Sequence, residues 1–337
     1  MCGVERKRRP LRRRLAALGV ATLVALLAGE LALRVWYEGV LGRERLYRYD
    51  PVTGWDNAAD LNGVYLQGED LVPVRLRTDG DGRPVYEAAP FRTGAPTVLL
   101  LGDSFVFGYY ADAEASFAAE LRRELAASGC AGGFVNHGVP SFGADQSYLR
   151  YRSLEDAPES RVVVFVMFEN DYLDNDLYVS GTRDKPVLRP DESGRLVEVE
   201  GANPFDRVRD WCYLGHFSMF ALGRLRQDRQ TPLGDSRAIW RAIVSAWRDL
   251  AESRGDRLAV VYHHLPKPLS QGHEFEPEIA EHVHGLGLPY LHLNEADPIS
   301  AEDLAADGWH WRAASQPRLG RSVAEWLLSR GDLFPPE

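Results

Sequence analysis

The pattern of apolar and polar positions changes character twice along this chain. Between residues 15 and 33 the run LAALGVATLVALLAGELAL carries a single charge, Glu30. As a helix it would rise roughly 28 Å, close to the thickness of bilayer hydrocarbon. Residues 34–95 are mixed, with Tyr37, Tyr47, Tyr49, Trp55 and Tyr65 scattered among charges and turn formers such as Asp50-Pro51, Thr53-Gly54 and Asp79-Gly80-Asp81-Gly82. From Thr97 onwards, short apolar runs alternate with stretches whose apolar residues recur every three or four positions.

The short runs predict five strands, at 97–101, 134–136, 161–168, 258–262 and 289–293. Continuous apolar β-formers, as in Thr97-Val98-Leu99-Leu100-Leu101 and Arg161-Val162-Val163-Val164-Phe165, suit strands covered on both faces. Between them lie helical stripes: Phe117, Leu121 and Leu125 behind a capping Ser116; Ile239, Ile243, Ala246, Trp247 and Leu250; Leu319, Val323, Trp326 and Leu327. Strands alternating with helices predict an α/β protein, a three-layer α/β/α sandwich around a mainly parallel five-stranded sheet. Residues 172–236, approximately, break the rhythm. There Pro186-Val187-Leu188 and Leu196-Val197-Glu198-Val199 flank Asp191-Glu192-Ser193-Gly194, a hairpin signal. The region reads as an insertion near the ligand-binding edge of the sheet, with a plain surface excursion as the alternative.

Charge adds an orientation. Arg6, Lys7, Arg8, Arg9, Arg12, Arg13 and Arg14 precede the long apolar run, so the positive-inside rule keeps 1–14 in the cytoplasm and sends the rest across a membrane. The expected organisation is a cytoplasmic basic segment at 1–14, a transmembrane signal anchor at 15–35, a stalk and lead-in at 36–95, and the main domain at 96–331. A cleaved secretory signal is the competing reading, since Ala28 and Ala32 are small. The run is longer than a usual signal core, however, and no clean A-x-A site follows it. Cys2 precedes the run, where a lipoprotein cysteine would not stand. With 337 residues, 45% of them hydrophobic, the chain can build a sizeable core, and its net charge of −10 argues against nucleic acid as a partner. Three cysteines make no disulfide framework; Cys130 and Cys212 could pair in an oxidising compartment, but nothing in the sequence brings them together.

The first predicted strand ends in Gly102-Asp103-Ser104, where a glycine lets the backbone turn and a hydroxyl stands at the carboxyl edge, at which open α/β sheets bind ligands. The second ends in Asn136-His137-Gly138 and the third in Phe168-Glu169-Asn170-Asp171. Just before the last helix, Asp307-Gly308-Trp309-His310 offers a carboxylate and an imidazole three residues apart. A serine nucleophile needs a base, a carboxylate to orient that base, and donors for the developing oxyanion. Each has a candidate here.

These blocks, in this order, resemble the SGNH hydrolases, the GDSL-type esterase and acyl-esterase superfamily, over roughly residues 97–330. The resemblance implies a flavodoxin-like SGNH fold with Ser104 as nucleophile, His310 as general base and Asp307 as its orienting partner. It also implies an oxyanion hole formed by the N–H groups of Ser104 and Gly138 and the side chain of Asn170. Family members often carry Gly-x-Asn-Asp where this chain has Phe168-Glu169-Asn170-Asp171, a departure that bears on substrate more than on chemistry. No metal or organic cofactor is implied. The expected protein is a membrane-anchored, extracytoplasmic serine esterase or deacylase, acting on a small-molecule or glycan ester, acetyl esters included. An O-acyltransferase of envelope glycans with the same triad, and a non-catalytic envelope-binding or assembly module, are the alternatives.

Other residues have plainer readings. His263 and His264 end a strand and point to opposite faces, and His282 and His284 diverge on a helix, so neither pair is a ready chelate. Trp309 and Trp311 could stack on a sugar ring, with packing as the default. Asp171, Asp174 and Asp176 read as a solvated loop rather than a calcium site.

Overall fold

The computed structural model describes residues 5–334 apart from 41–45, 69–70, 88–89, 158–159, 181, 231–233 and 271; Cys2 lies outside them. Five strands form one parallel sheet: β1 (Thr97–Gly102), β2 (Gly133–Asn136), β3 (Arg161–Phe168), β4 (Arg257–His263) and β5 (Tyr290–His292). Their spatial order is β2-β1-β3-β4-β5. This is the doubly wound, flavodoxin-like order, in which successive connections diverge at the crevice between β1 and β3.

Alternation along the strands builds the two cores. Val98, Leu100, Val162, Val164, Ala259 and Val261 point to one face, where they meet α2 (Phe117–Ser128) and α7 (Gln316–Ser329). Leu99, Leu101, Val163, Phe165, Leu258 and Val260 point to the other, beneath α3 (Ala144–Ser153), α5 (Ser236–Ser253) and α6 (Gly272–Gly285). Because successive side chains of a strand project to opposite faces, a strand apolar at every position must be covered on both. The helices meet it with the stripes read from the sequence: Leu319, Val323 and Leu327 are fully buried, as are Ile243 and Trp247. Ser116 caps α2 by accepting from the Ala119 N–H at 3.2 Å, which supplies one of the acceptors a helix start lacks.

Two segments are added to this sandwich. Ahead of β1, the strand pairs Tyr47–Asp50 with Gly54–Asn57 and Asn62–Gln67 with Val72–Arg77 are antiparallel hairpins. They are bonded to the sandwich: the Trp55 indole donates to Pro140 O (3.1 Å), Asn57 Nδ2 to Gly138 O (2.9 Å), Gln146 Nε2 to Thr53 O (2.6 Å), and the Tyr110 N–H to Gln67 Oε1 (2.7 Å). Between β3 and α5 come the pairs Val179–Ser180 with Arg183–Asp184 and Val187–Pro190 with Leu196–Glu200, then two short helical turns and α4 (Tyr213–Gln227). Lys185 from this segment is fully buried; its ammonium donates to Asp145 (2.7 Å) and to Asp174 O (2.9 Å).

At the amino-terminal end stands α1 (Glu5–Arg34), a helix long and apolar enough to cross a membrane. Its carboxyl-terminal end touches α4: the Glu30 carboxylate accepts from the N–H groups of Tyr213 (3.0 Å) and Leu214 (2.9 Å). The one charge in the apolar run is thus the acceptor for two N–H groups that the start of α4 leaves over. Cys130 and Cys212 are not joined; Cys212 Sγ accepts from the Gly215 N–H at 3.2 Å.

Candidate active site

The end of β1 places Ser104. Gly102 is required there, because a Cβ would lie 2.5 Å from Val166 O on the neighbouring strand and 2.6 Å from Val106 Cγ2. Asp103 then accepts from the Phe105 N–H (2.9 Å) and opens a single helical turn whose first residue is Ser104. The turn closes at Gly108, φ +90°, whose N–H donates to Ser104 O at 3.1 Å.

His310 arrives from the loop before α7. Asp307 organises that loop, its Oδ1 accepting from the N–H groups of Trp309 (2.9 Å) and His310 (3.1 Å). Asp307 Oδ2 lies 2.6 Å from His310 Nδ1, and His310 Nε2 lies 2.8 Å from Ser104 Oγ. An ionised carboxylate only accepts, so Nδ1 carries the hydrogen and the Nε2 lone pair faces the serine hydroxyl. Burial opposes ionisation of Asp307, but the three hydrogen bonds it accepts outweigh burial and hold its pKa at about 2. The imidazole rests among the rings of Tyr109, Phe105 and Tyr110, with centroids 4.8, 5.3 and 5.6 Å away.

The remaining predicted donors are placed differently. The Gly138 N–H donates to Asn136 Oδ1 at 2.7 Å, and Asn136 in turn donates to Val106 O at 2.8 Å and to the Tyr86 hydroxyl at 2.6 Å. Gly138 therefore locks β2 to the serine turn: a Cβ there would sit 2.5 Å from Phe107 N and 2.6 Å from Val106 Cγ1. Its N–H is already committed to Asn136 Oδ1. Asn170, at the end of β3, directs one amide hydrogen to Asp174 Oδ2 at 3.4 Å and does not line the cavity around Ser104.

That cavity has a volume of about 510 Å³. Ser104, Asp307 and His310 form its floor, with Tyr109, Tyr110, Pro140, Ser141, Ala306 and Trp309 around them and Tyr47 and Gly68 of the hairpins closing one side. Ser141 is the residue the sequence reading missed. It sits in the turn closed by the Phe142 N–H on Val139 O (3.1 Å), with φ +67°. The Val139-Pro140-Ser141-Phe142 sequence signals a turn, since proline suits its second place, but leaves open whether the third residue takes a positive φ. Among the described residues the Ser141 N–H has no acceptor. The two tryptophans divide: Trp311 is buried in the core, whereas Trp309 is 56% exposed at the cavity rim, so packing does not account for it.

Behind the floor the site is unusually acidic. Asp171 and Asp176 are buried and Asp174 is mostly so, which overturns their reading as a solvated loop. Burial raises the pKa of Asp103 to about 6, and burial together with the nearby Asp103 charge raises that of Asp171. Burial also raises that of Glu169, which accepts from Ser270 Oγ and faces away from the serine into the loop after β4. His263 is a core residue, ringed by Phe105, Phe168 and Trp311, and burial depresses its pKa.

Fold and site together define a doubly wound α/β protein with a serine–histidine–aspartate constellation at its switch point. No protein-family model matches the chain, and no curated protein matches it. Among solved structures the chain is similar to TesA, at 16% identity and a TM-score of 0.45 over 68% of this chain and 97% of that one. It is similar to the psychrotrophic esterase EstA from Pseudoalteromonas sp. at 11% identity and a TM-score of 0.44, covering 69% of this chain and 97% of the other. With Axe2, an acetylxylan esterase from Geobacillus stearothermophilus, identity is 10% and the TM-score 0.44, over 71% and 96% of the two chains.

Proposed function

We propose that the protein is a serine esterase of the SGNH type that removes acyl groups, acetyl among them, from an envelope glycan or similar ester outside the cytoplasm, held to the membrane by α1. One observation carries the reading: the unbroken chain from Asp307 through His310 to Ser104 Oγ, with contacts of 2.6 and 2.8 Å, on the floor of an open cavity. Such a chain serves nucleophilic catalysis.

In the reaction, His310 Nε2 takes the Ser104 proton as Oγ bonds to the ester carbonyl carbon. The oxyanion is met by the Ser104 and Ser141 N–H groups. The C–O bond breaks as the imidazolium returns its proton to the departing alkoxide. Water then attacks the acyl-serine with His310 again as base, releasing the acid. Asp307, ionised far below neutral pH, holds the imidazole in the tautomer this needs. The exposed indole of Trp309 beside the serine supports a sugar ring as the alcohol part, because an aromatic face stacks on the apolar side of a pyranose.

The test is fluorophosphonate labelling of the full chain in detergent, together with turnover of short acyl esters. Labelling and acid release in the native chain, both absent in Ser104→Ala, are expected. Absence of both in the native chain would sink the reading and leave a binding module. Acyl transfer that requires an added sugar acceptor would recast the protein as a transferase.

A further inference from the structure

The exposed large apolar side chains of the folded part are not spread evenly. Phe205 (73% exposed), Trp211 (70%), Phe220 (48%), Leu222 (46%) and Leu225 (54%) fall within one stretch of the insertion, ending in α4. In α4, Leu214, Ala221, Leu222 and Leu225 recur at helical spacing, so they form one stripe. The opposite side of the helix is fixed inward: Gly223 packs on the Thr182 carbonyl, and Arg209 donates to Thr182 O (2.6 Å) and Met219 O (2.9 Å). An apolar stripe on a helix held this firmly is a surface made to be covered.

The start of the stripe is already covered, by the end of α1. Gly29 lies against Leu214, the Glu30 carboxylate accepts from the first N–H groups of α4, and Trp36 and Tyr37 pack on Phe217 at ring distances of 6.0 and 5.5 Å. Among the described residues, Ala221, Leu222 and Leu225 beyond Phe217 are exposed. If α1 spans from its basic end, the bilayer boundary falls near Glu30 to Tyr37, where Trp36 and Tyr37 stand as interfacial aromatics do. The bare part of the stripe begins one turn beyond Phe217, which Trp36 and Tyr37 touch. Arg224 pairs with Asp228 at 3.8 Å, which leaves Arg229 as the exposed cation beside it.

We propose that α4 and the preceding Phe205–Trp211 segment form a membrane-docking face, with the apolar stripe sunk into the outer surface of the same bilayer that α1 crosses. This rests on the anchor assigned to α1 above. The occupant is lipid rather than a second protein, because the face is continuous with the span and meets the membrane wherever the span is inserted. Its effect is to hold the catalytic domain in one fixed attitude instead of letting it pivot on a tether.

The experiment is site-directed spin labelling of the full chain in phosphatidylcholine–phosphatidylglycerol vesicles, with Cys2, Cys130 and Cys212 replaced by serine. Single labels are placed at Trp211→Cys, Leu222→Cys and Leu225→Cys, at Leu23→Cys within the span, and at Glu325→Cys on α7 as an aqueous reference. Docking predicts that labels at 211, 222 and 225 are several-fold more accessible to oxygen, relative to a neutral nickel chelate, than the label at 325. Three sites guard against one variant misfolding, and unchanged fluorophosphonate labelling certifies each fold. If 222 and 225 match 325 while 23 is lipid-like, docking is overturned and the anchor stands. Should 23 also be aqueous, the anchor fails and docking with it. Labels at 222 and 225 closed to both reagents would mean that protein covers the face, and would overturn the proposal equally.

Discussion

Ser104 and His310 are 206 positions apart in the chain, yet Oγ and Nε2 meet at 2.8 Å. Two local devices bring them together, the Asp103-capped turn after β1 and the Asp307-capped turn before α7, and each uses a carboxylate to collect backbone N–H groups. Asp307 does so with one oxygen while the other holds Nδ1, so one residue shapes the loop and sets the tautomer.

Asp307→Asn leaves the loop acceptor in place but can present a donor to Nδ1, which favours the wrong tautomer. We expect kcat/KM on a short acyl ester to fall on the order of 10³–10⁴-fold with the thermal unfolding midpoint little changed. Steady-state kinetics beside a melting curve checks this; a loss of activity matched by a loss of fold would contradict it.

The two carboxylates differ in sign with pH. Asp307 titrates at about 2, below its ordinary value, so it contributes stability that is present above the unfolded pKa and lost as pH falls through about 2. Asp103 is raised by burial to about 6, so ionising it weighs against the fold, and stability declines as pH rises from about 4 through 6. Asp103→Asn keeps an acceptor for Phe105 N–H and should flatten the dependence of the urea midpoint on pH across that interval. A native-like slope in the variant would reject the assignment.

How much of this could be read from sequence follows from where the information is local. The strands, their burial on two faces and the helical stripes were legible because side-chain period is set by backbone geometry. Asp307 and His310 were legible because three residues of loop suffice to place both. Gly138 was not: its N–H is taken by Asn136, two residues back but turned inward by Val106 and Tyr86, partners 30 and 50 positions away. Asp174 looked solvated for the same reason, since Lys185 lies more than ten residues beyond it and reaches back to donate to its carbonyl.

Gly138 and Ser141 should respond oppositely to substitution. Gly138→Ala pushes a methyl into Phe107 N and Val106 and is expected to lower stability by several kcal/mol or prevent folding, as overpacking against backbone does. Ser141→Gly relieves a side chain at φ +67° and should raise stability by about 1 kcal/mol. Chemical denaturation of the two variants decides the matter, and equal effects would refute it.

The Lys185–Asp145 pair is buried on both sides. Lys185→Met alone strands the Asp145 carboxylate and is predicted to cost about 3–5 kcal/mol, whereas Lys185→Met with Asp145→Leu should regain much of that. Urea titration of the single and double variants measures it; additive losses would show that the pair is not the source.

Tyr47 and Gly68 close one side of the cavity, and the hairpins that carry them are pinned by Trp55, Asn57 and Gln67 to the loops around the serine. A stretch of chain that serves as masonry cannot also serve as rope. Cutting the protein just before β1, where the sheet begins, would remove Tyr47 and Gly68 from the wall of the cavity that holds Ser104. The working unit therefore starts near Tyr47, some fifty residues upstream of its first parallel strand.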